Sequence, residues 1–381
     1  MLTASGCADR RKRLWDSLPA PCDALILGDP QSLIYFANYA PSPFVFRTID
    51  AGALLVLQPD RAVLVADQMV KPFLDAAHVD EVFAPVWYDG RRSAPQRREQ
   101  LVSSAVAVAR GLEARGWGAE LASVPAGFAE AFRQDWEREK PVALESTIRA
   151  LRRAKAPDEI ELIRRSIRAG EAGHAVVLAQ LKPGMSELQA FLLVTEAATA
   201  AERDQVHVYG DFVSGPRCET DRGGPPTARV IEPGDLFLLD CSVVVHGYRG
   251  DFTNTFAVGR PPTSGQRELF KACLEALESG EARLRPGTTG RDVDRAVRDS
   301  FAGRGLESAF PSHSGHGLGL SHPEPPFFVP ESSDVLAVGD VVALEPGLYV
   351  SGVGGMRFER NYLITADGAE CLTRHRLSLE P

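Results

Sequence analysis

The sequence predicts two domains, an α/β unit over residues 1–153 followed by an α+β unit over 154–381 whose strands are mostly antiparallel. Three observations predict this. At 381 residues the chain exceeds the size at which one hydrophobic core stops growing. In its first part, short β-like runs alternate with helical stretches. After Ala156-Pro157 the pattern changes to paired helices and then to long strands rich in Val, Leu and Phe.

In the first unit the β-like runs are CDALILGD (22–29), GALLVLQP (52–59) and RAVLVAD (61–67), and RREQLVSSAVAVARGLEARG (97–116) reads as helix. The basic cluster Arg10 to Arg13 reads as a solvated helix face. From Glu145 to Leu181 helical periodicity is broken at Ala156-Pro157, where proline suits the first turn of a new helix. Lys182 to Met185 closes that helix, and Ser186 with Gln189 has the pattern of an N-cap starting the next. Further helices are expected near Ser264–Ala282 and Gly290–Gly303, with strands elsewhere to the end.

Composition excludes several function classes. The core supply is adequate at 44% apolar residues, and a net charge of −9 argues against a nucleic-acid surface. No run is long and apolar enough to cross a membrane, and the N-terminus lacks the apolar core of a signal peptide, so a cytoplasmic protein is expected. The six cysteines are scattered without a CxxC pair, which suggests reduced thiols rather than a disulfide framework or zinc cluster.

The stretch DLFLLDCSVVVHGYRGDFTNTF (235–256) is otherwise buried strand, yet it carries Asp240 and Asp251. A hairpin turning at His246-Gly247 would place Asp251 opposite Ser242. Because side chains alternate, Asp240 would then be the diagonal neighbour of Asp251, about 7 Å away. Glu345 follows four apolar residues in VVALEPGLYV, and alternation in GGMRFERNYLIT would put Arg357, Glu359 and Asn361 on one face. Four strand carboxylates with the imidazole of His316 form a donor set suited to two divalent cations, the four negative charges balancing four positive ones. Manganese, iron, cobalt and zinc all fit it. Taken singly, His313, His316 and His322 read as loop histidines, and His-Gly-Leu-Gly is too short to be a phosphate loop.

These motifs, in this order, resemble the metallopeptidase family of prolidase, Xaa-Pro aminopeptidase and methionine aminopeptidase. The matching segments are KAPDEIELIR (155–164), the Asp240/Asp251 pair, GHGLGL (315–320), EPGLY (345–349) and MRFERNYLIT (356–365); LIYFANY (33–39) adds a looser N-terminal likeness. The resemblance implies a creatinase-type N-terminal domain and a "pita-bread" catalytic domain. It implies two metal ions, manganese first and cobalt, zinc or iron as alternatives, on Asp240, Asp251, His316, Glu345 and Glu359. It further implies that Glu345 takes the proton of the attacking water, that His322 is a catalytic histidine and that Arg357 orients the carboxylate of Glu359.

Two departures stand out. The family's upstream histidine falls near Gly223, and no histidine lies between His207 and His246. Its second histidine falls at position 323, here proline, so a one-residue deletion would have to deliver His322. The expected activity is hydrolysis of short peptides before proline, in a homodimer whose N-terminal domain covers a neighbour's site. The alternatives are a metal-dependent hydrolase or lyase of a small non-peptide substrate, and a non-catalytic binding module. The segment DRGGPP (221–226) and the loop HPEPP (322–326) are where a change of substrate would show.

Overall fold

The computed structural model describes residues 1–40, 52–93, 96–220 and 223–380. The chain forms two compact units, Met1–Arg152 and Arg153–Pro381. Among the described residues no helix is long and apolar enough to cross a membrane.

The first unit is built on a six-stranded mixed sheet of β1 (Ala24–Leu27), β2 (Leu54–Gln58), β3 (Arg61–Val65), β4 (Glu81–Phe83), β5 (Trp117–Ala119) and β6 (Val142–Ala143), ordered β4-β3-β2-β1-β5-β6. All three β-like runs of the sequence are strands, each buried along most of its length because helices cover the sheet. Leu101, Ala105 and Ala109 of helix Arg97–Arg110 pack with Ile26, Val56 and Val63 in its core. The reading of Arg10 to Arg13 as a solvated face is corrected here. Arg10 is 1% exposed and its Nε donates to the carbonyl of Tyr35, while Arg11 donates to the carbonyls of Phe36 and His78. These guanidinium groups satisfy main-chain carbonyls that burial would otherwise leave without partners.

The second unit opens with helix Pro157–Gln180, with proline in its first turn and the Glu159 carboxylate accepting from the Ala156 amide. Ser186 and Gln189 cap helix Glu187–Glu202 reciprocally. Next come β7 (His207–Tyr209), β8 (Phe212–Ser214), β9 (Leu236–Val245) and β10 (Tyr248–Ala257), then helices Ser264–Glu281 and Gly290–Ala302. The remaining strands are β11 (Gly315–Gly317), β12 (Glu324–Phe328), β13 (Val341–Leu344), β14 (Gly347–Val350), β15 (Gly354–Arg357), β16 (Arg360–Thr365) and β17 (Gly368–Cys371). Every strand pair of this unit is antiparallel.

Strands β9 and β10 form the expected hairpin. His246 and Gly247 both have positive φ, 47° and 86°, the backbone a tight two-residue turn requires. The register pairs Asp251 with Ser242 and Thr253 with Asp240. Helix Pro157–Gln180 lies so close to the hairpin that a Cβ on Gly250 would meet the Ile167 amide nitrogen at 2.9 Å. A second sheet, β12-β11-β13-β16-β17, carries β11 and β16, with β14 and β15 paired apart from it. Leu277, Val293, Val297, Phe301, Leu344 and Ile364 belong to the apolar core of this unit.

Candidate metal centre

The hairpin supplies the first acids. Asp240 on β9 and Asp251 on β10 face one side with Ser242 and Thr253 beside them. Ser242 Oγ donates to Asp251 Oδ1 at 2.8 Å. Asn361 of β16 clasps the same residue through its backbone, accepting from Asp251 N at 3.0 Å and donating to Asp251 O. This clasp fixes the edge of one sheet against the other. Glu359 follows the end of β15, where its amide donates to Thr253 O at 3.0 Å and its Oε2 accepts from Thr253 Oγ1 at 2.7 Å.

The fourth acid and the imidazoles come from the second sheet. Glu345 stands just past β13, its amide donating to Ser314 O at 2.9 Å. Its Oε1 lies 2.9 Å from His313 Nε2 and 3.2 Å from His316 Nε2. His316 Nδ1 faces the carbonyl of Gly317 at 3.0 Å. A neutral ring held that way carries its proton on Nδ1 and turns the Nε2 lone pair toward the acids, as a metal ligand needs.

His322 reaches the same place despite the shortened spacing, its Nε2 2.6 Å from Asp251 Oδ2. The segment behind it is tied down by a buried ion pair. Lys155 Nζ meets Glu324 Oε1 at 2.5 Å, with side chains 2% and 8% exposed, and Glu324 Oε2 accepts from the Ser321 amide. Three overlapping triads have ligand atoms within 4.8 Å of one another: Asp240, Asp251 and Glu359; Asp251, His316 and His322; His313, His316 and Glu345.

Two oxygens bear on what this arrangement can hold. Asp240 Oδ1 and Glu359 Oε1 are buried and have no hydrogen-bond partner among the described residues, although the other oxygen of each carboxylate does. A buried carboxylate oxygen left open in this way is costly unless a cation completes it. Burial raises both acids well above the usual carboxylate range, and neighbouring carboxylates raise them further, with Arg357 opposing. That direction favours the protonated form of each, and a nearby cation would favour the charged form instead. Burial also pushes Asp251 up, but the hydrogen bond and charge of His322, with His316, hold it at about 2. For Glu345, burial is outweighed by His313 and His316, which hold it well below the usual range. His316 is lowered by burial and raised more by Glu345 and Asp251, to about 9. Hard oxygens, one well-oriented imidazole and two open valences fit divalent cations.

Arg357 requires a correction. Its Nη2 donates to Asp240 Oδ2 at 2.6 Å and Asp211 Oδ2 at 2.8 Å, and its Nε to Thr253 Oγ1 at 3.3 Å; no hydrogen bond joins it to Glu359. The alternation that would have aligned Arg357, Glu359 and Asn361 is interrupted, because β15 ends at Arg357, β16 begins at Arg360, and the two strands belong to different sheets. Singly, the three histidines read as loop residues; together they converge here, with His316 inside β11.

Two residues at the centre carry little sequence signal. His313 stands three before His316, which is neither a strand nor a loop-closure spacing, and only the turn into β11 brings it to Glu345. Asp211 follows Gly210, whose φ of 136° and missing side chain let the chain pass against the carbonyl of Asp240. Nothing local marks Asp211 as part of the centre. Of the segment 221–226, Asp221 and Arg222 lie outside the described residues.

Comparison with known proteins accords with this architecture. Residues 161–366 match metallopeptidase family M24, and residues 10–154 match the creatinase/prolidase N-terminal domain. An uncharacterized peptidase of Bacillus subtilis (strain 168) is 32% identical over 238 residues, 61% of this chain and 65% of that protein; one of Staphylococcus aureus (strain USA300) is 30% identical over 234 residues, 60% and 65%. The chain thus spans about two thirds, 65%, of the length of these curated relatives. Among solved structures, an X-Pro aminopeptidase from Thermotoga maritima MSB8 superposes with a TM-score of 0.84 at 20% identity, covering 98% of this chain and 99% of that one. An Xaa-Pro dipeptidase from Bacillus anthracis gives 0.78 at 24% identity over the same shares. At these identities the likeness is one of fold.

Proposed function

Because the chain belongs to metallopeptidase family M24, we propose that it is a two-metal peptidase cleaving bonds before proline, as an Xaa-Pro aminopeptidase or dipeptidase. The observation that carries this is the pair of open carboxylate oxygens, Asp240 Oδ1 and Glu359 Oε1, flanking Asp251. Asp240, Asp251, His316, Glu345 and Glu359 would hold the cations, with manganese the first choice. Bound there, the cations supply Lewis acidity toward the scissile carbonyl and toward water. The proline preference is supported by the EPGLY and MRFERNYLIT segments and by the names of the solved relatives.

The chain's own residues have distinct tasks. Glu345 is held deprotonated by its histidine partners and accepts the proton released by water. His313, 41% exposed and bonded to Glu345, lies where that proton can be passed on toward solvent. His322, 27% exposed, offers a ring N–H to a substrate oxygen at the edge of the centre. Arg357 holds Asp240 through Oδ2 and leaves its Oδ1 open for a cation.

One observation favours a second reading, a small non-peptide substrate. Where the family's upstream histidine would fall, the chain has Gly223 and Gly224, folded against the carboxylate of Asp211.

The test is mass-spectrometric detection of cleavage across Xaa-Pro dipeptides and Xaa-Pro-containing tripeptides with manganese, cobalt or zinc, beside Glu345→Gln. Cleavage before proline that disappears in the variant is the expected result. Silence across the panel in protein holding two metals would overturn the peptide reading in favour of the non-peptide one.

A further inference from the structure

We propose that Asp211 is a positioning residue that holds the guanidinium of Arg357 against Asp240 and, by neutralising it, sets how tightly the centre binds its cations. The inference rests on the two-metal reading above.

Asp211 sits between β7 and β8, 146 positions away from Arg357 in sequence. One guanidinium nitrogen, Arg357 Nη2, is shared between Asp211 Oδ2 at 2.8 Å and Asp240 Oδ2 at 2.6 Å. The second oxygen of Asp211 is engaged too, Oδ1 accepting from the Gly224 amide at 2.7 Å. Around this carboxylate the backbone closes tightly. A Cβ on Gly223, whose φ is +57°, would lie 2.2 Å from Asp211 Oδ2, so only glycine can wrap it. Phe212 N donates to Gly224 O at 3.1 Å and Asp240 N to Asp211 O at 2.9 Å, which pins the residue to the turn on one side and to β9 on the other.

The electrostatic consequence follows from what else faces Arg357. Its Nη1 donates to Tyr349 Oη at 3.2 Å, and its Nε lies 3.8 Å from Glu345 Oε2. Without Asp211, the guanidinium would be shared by Asp240 and Glu345 alone, two carboxylates that the cations need. It would then compete with them for charge and repel them. With Asp211 present, two divalent cations and one guanidinium balance Asp240, Asp251, Glu345, Glu359 and Asp211 charge for charge. Asp240 can then give one oxygen to Arg357 and keep the other for a cation.

The experiment is calorimetric titration of Mn²⁺ into chelator-treated full-length protein, comparing wild type, Asp211→Asn, Arg357→Gln and the double variant. Asp211→Asn is isosteric and keeps an oxygen for the Gly224 amide; its far-ultraviolet circular dichroism and thermal unfolding verify the fold. The expected result is about tenfold weaker Mn²⁺ binding in Asp211→Asn, the size associated with one charge-assisted hydrogen bond, and a change of less than about twofold when the same substitution is made on Arg357→Gln. An equal loss in both backgrounds would overturn the proposal, because Asp211 would then act on the cations directly. Unchanged binding in Asp211→Asn beside normal wild-type binding would overturn the proposal alone. A wild type that binds no Mn²⁺ would overturn the two-metal reading and the proposal with it.

Discussion

Buried acids at two places, Glu120 in the first unit and Asp240 and Glu359 in the second, are treated in opposite ways. In the first, Glu120 just past β5 is 4% exposed, its Oε2 accepts from the amides of Gly28 and Asp29 at 3.0 Å each, and its Oε1 accepts from Ser32 Oγ. Both oxygens are occupied, and the acid anchors the start of helix Pro30–Ala37. In the second, Asp240 and Glu359 are each bonded through one oxygen and open at the other. Burial raises all three acids, Glu120 to about 7, so the direction of the shift does not separate them. The unfilled oxygen does. Of these three, Glu120 is saturated by its own chain, whereas Asp240 and Glu359 are each held by half.

The comparison can be broken most directly at the open acids. Asp240→Ala or Glu359→Ala should abolish metal binding and turnover together; elemental analysis showing either variant with its full metal content would remove this distinction. Next in size is Lys155→Met. It leaves Glu324 buried without its cation, a loss of about 3–5 kcal/mol for breaking a buried pair, and it should loosen the segment that carries His322. Denaturant unfolding measures the first effect, and a fall in turnover with metal retained measures the second. His322→Ala should slow turnover by about 100-fold, the size of one lost donor, with two metals still bound; unchanged turnover would place the residue outside the chemistry.

The saturated acid gives the smallest effects. Glu120→Ala should destabilise the first unit by about 1–3 kcal/mol, read as faster hydrogen exchange at Gly28 and Asp29, without altering metal content. Its pH dependence has a definite sign. With its folded-state value raised to about 7 from 4.5, Glu120 contributes stability that is fully present below 4.5 and lost as pH rises through about 7. Glu120→Gln should flatten that slope, and an unchanged slope would show that another group produces it.

Much of this was legible in the sequence because it depends on near neighbours. Turn chemistry at His246-Gly247 and strict alternation set the hairpin register, and with it the placing of Asp240 near Asp251. Ser186 with Gln189 and Pro157 announced helix starts for the same reason, since capping involves residues within one turn. The ordered segments around Glu345, Glu359 and His316 marked these residues as candidate ligands, and the fold brings them together with Asp240 and Asp251. Arg10 was misread because a basic run looks alike whether its guanidinium meets water or a buried carbonyl.

What only the tertiary structure decided are contacts between segments that no local pattern relates. Arg357 meets Asp240 and Asp211 across 117 and 146 positions, and Lys155 meets Glu324 across 169. The sequence by itself determined which residues could face inward and in what register the β9–β10 hairpin folded, because backbone geometry repeats over two to four residues. Which inward-facing charge met which depended on how separate sheets and loops packed, a matter of long-range complementarity that periodicity does not encode.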